Sequence, residues 1–220
     1  MARFVLRVWL PDRPGALGRV ASAIGSVGAS LVAIDILEQD AGWAIDEFVV
    51  DAVDSPNAME KLTAALTFVE GVNVETIRSS PSAVIDARVD ALESAAELVE
   101  EEKAPGLMRV LVERTRHDLA ADWVALMSSG ADAEVVAGAG EHPGPAWLAA
   151  FLGGASASPM AVGLPAGGFA GPDDVAWTAL EASGFALVLG RDGQPFRARE
   201  RMQIAVLCRI ADRRLQELPA

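Results

Sequence analysis

Residues 8–32 read VWLPDRPGALGRVASAIGSVGASLV, and the fold of the first third of the chain turns on them. Just upstream, Phe4, Leu6, Val8 and Leu10 share one parity, which marks a strand with one buried face. Pro11-Asp12-Arg13-Pro14-Gly15 makes a turn, with Pro14 expected in the first helical turn, where its missing N–H costs nothing. Leu17, Val20, Ala21, Ile24 and Val27 then recur at helical spacing, and Gly28 ends that helix in the left-handed geometry glycine tolerates.

Downstream, Leu31, Ile34 and Ile36 announce a second strand. Asp40-Ala41-Gly42 is a hairpin turn, and Trp43–Val50 the returning strand. Asp54-Ser55-Pro56 offers a cap and an early proline for a second helix running through Leu66, and Gly71–Ile77 closes with a last strand. The order over residues 3–78 is βαββαβ, a ferredoxin-like arrangement.

Ser79-Ser80-Pro81-Ser82 reads as a linker, which places a first domain at 1–80. A connecting helix is expected over 81–104, where Ile85, Val89, Leu92, Ala96 and Val99 follow the 4-3-4-3 spacing of a coiled-coil seam. The final helix, about 196–218, repeats that spacing with Ile204, Cys208, Ala211, Leu215 and Leu218. These stripes either cover their own domain or pair with each other and with a second copy. Between the two helices lies a second α/β domain, 105–220. Its expected elements are a helix at 106–120, strands at 123–127, 134–137, 161–164, 175–180 and 185–189, and a helix at 146–152. Loops are expected at 129–132, 138–145, 153–159 and 165–174.

Composition narrows the function classes. The chain has 220 residues, of which 51 % are hydrophobic, so material for a core is ample. A formal net charge of −13 disfavours nucleic acid and anionic membrane as partners. The arginines of the last helix (Arg197, Arg199, Arg201, Arg209, Arg213 and Arg214) are expected to form a solvated face. No apolar run reaches the ~18–20 residues of a membrane span, and the arginine-containing start reads as a strand rather than a signal peptide. One cysteine, Cys208, excludes an internal disulfide and suits the cytoplasm; it is expected to be a buried small hydrophobe.

Catalytic chemistry finds no foothold. His117 and His142 are the only histidines, which leaves a zinc site or a hydrolytic triad around Ser128-Ser129 without partners. Neither Gly138-Ala139-Gly140 nor Gly167-Gly168 is followed by the lysine of a phosphate loop. Asp46-Glu47 is expected to be an exposed pair. The expectation is therefore a non-enzyme with no catalytic residues, no metal and no cofactor.

The motif Asp12-Arg13-Pro14-Gly15-Ala16-Leu17, its helix and the following Gly28-Ala29-Ser30 resemble the signature of ACT domains, small regulatory modules that bind amino acids. Helix-start N–H groups favour a carboxylate, and Asp12 can accept from an ammonium group, so both halves of a zwitterion find complements. The alternative for Asp12 is an N-cap of its helix. The resemblance implies a ligand held by Leu10, Asp12, Arg13, Gly15, Ala16 and Leu17, with Ser30 and Leu31 of a neighbouring domain closing the pocket. Two positions depart from many amino-acid-binding relatives, which carry a polar residue at the position of Leu10 and asparagine at that of Ser30.

Residues 105–218 resemble a GAF domain, a PAS-like small-molecule sensor, through Trp177–Leu180, Ser183–Gly190 and the long helix after Gln194-Pro195-Phe196. Trp123, Trp147, Phe169, Trp177 and Phe185 are candidate pocket or core aromatics. The expectation is an α+β chain, an ACT domain followed by a GAF-like domain, acting as a cytoplasmic regulatory homodimer that binds an amino acid. The alternative makes the ACT domain a dimeriser and the GAF-like domain the sensor.

Overall fold

The computed structural model describes residues 1–80, 86–129, 133–156 and 174–218. The expected strand at 161–164, residues 157–159 and 165–173 of the expected loops, Gly130–Asp132, Phe169, Gly167-Gly168, Pro81-Ser82 and Ile85 lie outside them. The chain forms two compact units, Met1–Asp86 and Ala87–Ala220.

The first unit runs β1 (Ala2–Pro11), α1 (Ala16–Ser26), β2 (Ser30–Asp40), β3 (Trp43–Ala52), α2 (Ala58–Thr67) and β4 (Asn73–Ser79), which is the expected βαββαβ order. Its four-stranded sheet has the order β2-β3-β1-β4, with every neighbouring pair antiparallel. The parity of β1 does what the sequence promised. Phe4, Leu6 and Val8 join Phe48 and Val50 of β3 against Val20 and Ile24 of α1 and Leu62 and Leu66 of α2. The other parity carries cross-strand partners, where Arg3 lies opposite Asp51 and Arg7 opposite Glu47, both ion-paired.

Two local expectations shift. The second helix begins at Ala58 behind Asn57, so Pro56 precedes the helix and Asp54 does not cap it. In β2, Ile34 and Ile36 are exposed and Leu37 is the buried residue, because β2 is an edge strand with register shifts at Leu31/Ala33 and Ile36/Glu38.

The second unit runs α3 (Ala87–Glu100), α4 (Ala104–Asp118), β5 (Trp123–Ser128), β6 (Val135–Ala139), α5 (Pro145–Ser156), β7 (Val175–Leu180), β8 (Phe185–Gly190) and α6 (Ala198–Glu217). Its four-stranded sheet has the order β6-β5-β8-β7. On one face, Val124, Leu126, Leu187 and Leu189 pack with Leu98 of α3, Leu107 and Leu111 of α4, and Ile204, Cys208 and Ala211 of α6. On the other, Ala125, Met127 and Val188 pack with Leu148 of α5. Burial on both faces explains why β5 and β8 are continuous apolar runs without alternation. The paired strands and closing helix that carry the likeness to GAF domains are β7, β8 and α6.

Three expectations are corrected here. Gly153 and Gly154 belong to α5 and not to a loop, and Gly138-Ala139 belong to β6. The stripe Val89, Leu92, Ala96 and Val99 does not cover its own domain, since α3 turns Ser94 and Leu98 inward instead. Ser94 is tolerated there because its hydroxyl donates to Asp118 and accepts from Arg114.

Candidate functional site

The turn ahead of α1 is built from backbone. Asp12 N–H donates to Gly42 C=O at 2.9 Å, which ties the β1 end to the β2–β3 hairpin. Ala16 N–H donates to Arg13 C=O at 3.2 Å, and Arg19 N–H to Gly15 C=O at 3.1 Å. Gly15 is the N-cap, with φ of 85°, a conformation that suits glycine and costs any other residue. Pro14 therefore lies in the turn before the helix rather than inside its first turn, and Asp12 does not cap α1, which has no side-chain cap. The helix start leaves the amides of Leu17 and Gly18 without an intrahelical acceptor.

The expected ligand contacts divide into three groups. Asp12, Arg13, Gly15 and Leu17 stand together and exposed at this turn. Leu10 and Ala16 are also there, but their side chains are buried with Ala44 in a small apolar cluster that seats the loop, so only their backbone can meet a ligand. Ser30 and Leu31 lie at the far end of the sheet. Ser30 pairs with Asp51, whereas the loop adjoins Pro11, which pairs with Trp43. The ten steps from Ser30 to Asp40 span about 30 Å.

The residue the sequence reading misplaced is Asp46. It is not half of an exposed pair, being 1 % exposed, and its Oδ1 has no hydrogen-bond partner among the described residues. Burial, then the nearby carboxylates of Asp12 and Asp35, push its pKa up to about 6. The sequence did carry the signal, because Asp46 shares the parity of Ala44, Phe48 and Val50 and so faces the core. Its neighbour Glu47 is on the other parity and accepts from Arg7 at 2.9 Å.

In the second unit the candidate aromatics separate. Trp123 meets Trp147 edge to face at 6.4 Å, and Trp147 stacks on Phe151 at 5.4 Å. Trp123 and Trp177 pack on the α5 side of the sheet, Phe185 on the opposite side. The indole N–H of Trp177 has no acceptor among the described residues. Cys208 is buried, and burial raises its pKa, as fits a small hydrophobe. Among the described residues no group of His, Cys, Asp or Glu could hold a metal ion, and no helix is long and apolar enough to cross a membrane.

The family model for the ACT domain matches residues 4–67. A search of the curated proteins found no match. Similar solved structures include an unknown protein from Galdieria sulphuraria at 16 % identity, covering 61 % of this chain and 75 % of that one, with a TM-score of 0.29. A bacteriophytochrome from the photosynthetic bacterium R. palustris is 10 % identical over 83 % of this chain and 42 % of its own, with a TM-score of 0.43. The phytochrome photosensory core module of Stigmatella aurantiaca is 10 % identical over 96 % of this chain and 57 % of its own, with a TM-score of 0.44. The chain thus spans less than two thirds of either phytochrome. Its first unit is an ACT domain, a kind of module that in general binds small regulatory ligands.

Proposed function

We propose that the chain is a non-catalytic regulatory protein of the cytoplasm whose ACT domain binds an amino acid at the turn before α1. The observation that carries this reading is the Gly15-centred turn, where open backbone and helix-start amides stand beside the exposed carboxylate of Asp12. The amides suit the ligand carboxylate and Asp12 suits its ammonium group. Asp46 adds a second, buried negative charge near Asp12 and so favours a cationic group at this end.

A homodimer completes the site. Within one chain Ser30 is too far from Asp12 to share a ligand. The edge strand β2 running antiparallel to β2 of a second copy would bring Ser30 and Leu31 of that copy toward this turn. Ligand binding then favours one packing of the two ACT domains over others, which is the requirement for a regulatory response.

The test is a thermal-shift screen of the full chain against all twenty amino acids, repeated on Asp12→Ala. A ligand at ~100 times its dissociation constant stabilises the folded state by about 2.7 kcal/mol. A hit in the wild type that disappears in Asp12→Ala supports the reading. A hit unaffected by Asp12→Ala moves the site to the second unit, where the aromatic cluster of Trp123, Trp147 and Trp177 offers a place for it. Silence from folded protein removes the amino-acid ligand.

A further inference from the structure

Helix α3 meets the rest of the second unit through one face and its flanks: Glu93 and Glu97 lie 3.9 and 3.6 Å from Arg114 of α4, and Val99 borders a groove beside Ile210 of α6. Ser94 and Leu98 are buried against α4 and α6. At 3.6 residues per turn, Val89, Leu92, Ala96 and Val99 fall about half a turn away, on the opposite side. A helix that merely covers a core presents polar residues there. Here Val89 is 48 %, Leu92 71 % and Val99 56 % exposed, and Ala96 is exposed as well.

The spacing of this outer stripe is informative. Steps of three, four and three residues are the a and d positions of a heptad, the repeat that keeps a seam facing one partner helix along its length. The flanking charges say which partner and which way round. With Val89 at a, Arg88 occupies a g position, and Glu93 and Glu100 occupy e positions. In a parallel, in-register pair of identical helices each g residue faces the e residue five places on in the other helix. Arg88 then meets Glu93 of the second copy, twice by symmetry. An antiparallel pair would instead set Glu93 against Glu100, like charge against like.

We propose that the outer face of α3 is a self-association surface, on which a second copy of this chain pairs through its own α3 in parallel and in register. The Leu92 side chains meet at the centre of that seam, with Arg88 reaching across its rim to Glu93, an exposed carboxylate that Arg114 of its own chain approaches only to 3.9 Å. This surface is separate from the amino-acid site and holds whether or not that reading does.

Cysteine cross-linking reads it directly in the full chain. Cys208 is buried, so the wild type is the blank. Leu92→Cys, a change at an exposed position, should give a disulfide-linked dimer under mild oxidation. Glu97→Cys, off the seam, should not, and adding Arg88→Glu to Leu92→Cys should cut the yield severalfold. Far-UV circular dichroism confirms that each variant is folded. Two results would overturn the proposal. Cross-linking of a Leu92→Cys and Ala96→Cys mixture to heterodimers, without Leu92→Cys homodimers, means antiparallel pairing. No cross-link at either position in folded protein means that the stripe is covered by another part of the chain or by a different partner.

Discussion

Asp46 in the first unit and Glu200 in the second are both carboxylates withdrawn from water, and the two units treat them in opposite ways. Glu200 accepts from Arg191 Nη2 at 2.7 Å and from the backbone N–H of Arg197 at 2.7 Å. Arg191 also donates to the carbonyls of Leu119, Gln194 and Pro195 and lies 4.1 Å over the Phe196 ring. That knot ties β8 to the start of α6, and each of its charges is compensated. No cation pairs with Asp46 among the described residues, and the carboxylates of Asp12 and Asp35 push its pKa up further. A buried charge that is fully paired is part of the frame, whereas Asp46 keeps an unmet Oδ1 among the described residues and a raised pKa.

The comparison can be broken at its stronger end first. Arg191→Met removes the cation that pairs with buried Glu200, so urea unfolding should show a loss of about 3–5 kcal/mol. Arg191→Met with Glu200→Leu should recover most of it. If the single change is silent, the knot is not a structural element.

Asp46 gives the next effect, and its sign is opposite. Its folded pKa of about 6 lies above the unfolded value near 3.8, so the unfolded chain ionises first as pH rises. This group therefore costs stability progressively from about pH 4 to pH 6, and the full cost persists above. Asp46→Asn should remove a pH-dependent difference on the order of 2 kcal/mol between pH 7 and pH 4. Asp118, whose pKa burial also raises, contributes in the same direction, so the quantity to measure is wild type minus variant. A constant difference across that range would mean that Asp46 is not perturbed.

A smaller effect sharpens the account of the turn. Gly15→Ala meets no close atom, the nearest being an Arg19 guanidinium nitrogen at 3.8 Å, so its cost is the left-handed backbone alone, about 1–2 kcal/mol by chemical denaturation. At the small end, Leu92→Ser on the exposed face of α3 should change stability by less than about 0.5 kcal/mol in dilute protein.

Much of this was readable from residues. The parity of β1, the helical spacing after Gly15 and the stop at Gly28 are local signals that tertiary structure had no reason to overrule. Gly28 does adopt φ of 76° just past α1. The start of α2 was misread because Asp54-Ser55-Pro56 is as good a turn as it is a cap. The stripe on α3 has heptad spacing in the sequence, but which side faces the core depends on Leu98 meeting α4 and α6, a contact no local pattern encodes. Asp46 was overlooked because an Asp-Glu pair looks solvated, although the alternation of β3 puts one member inside. For the site, the sequence located the turn but not the distance between Ser30 and Asp12, since separation along a strand becomes visible only once register is known.

The most direct test of the central claim is hydrogen–deuterium exchange of the full chain with and without a mixture of the twenty amino acids at millimolar concentration. A ligand at the ACT turn slows amide exchange over residues 12–18, and at residues 30–37 as well if a second copy closes the site. No change in the first unit, or slowing confined to residues 123–156 in the second, would contradict it.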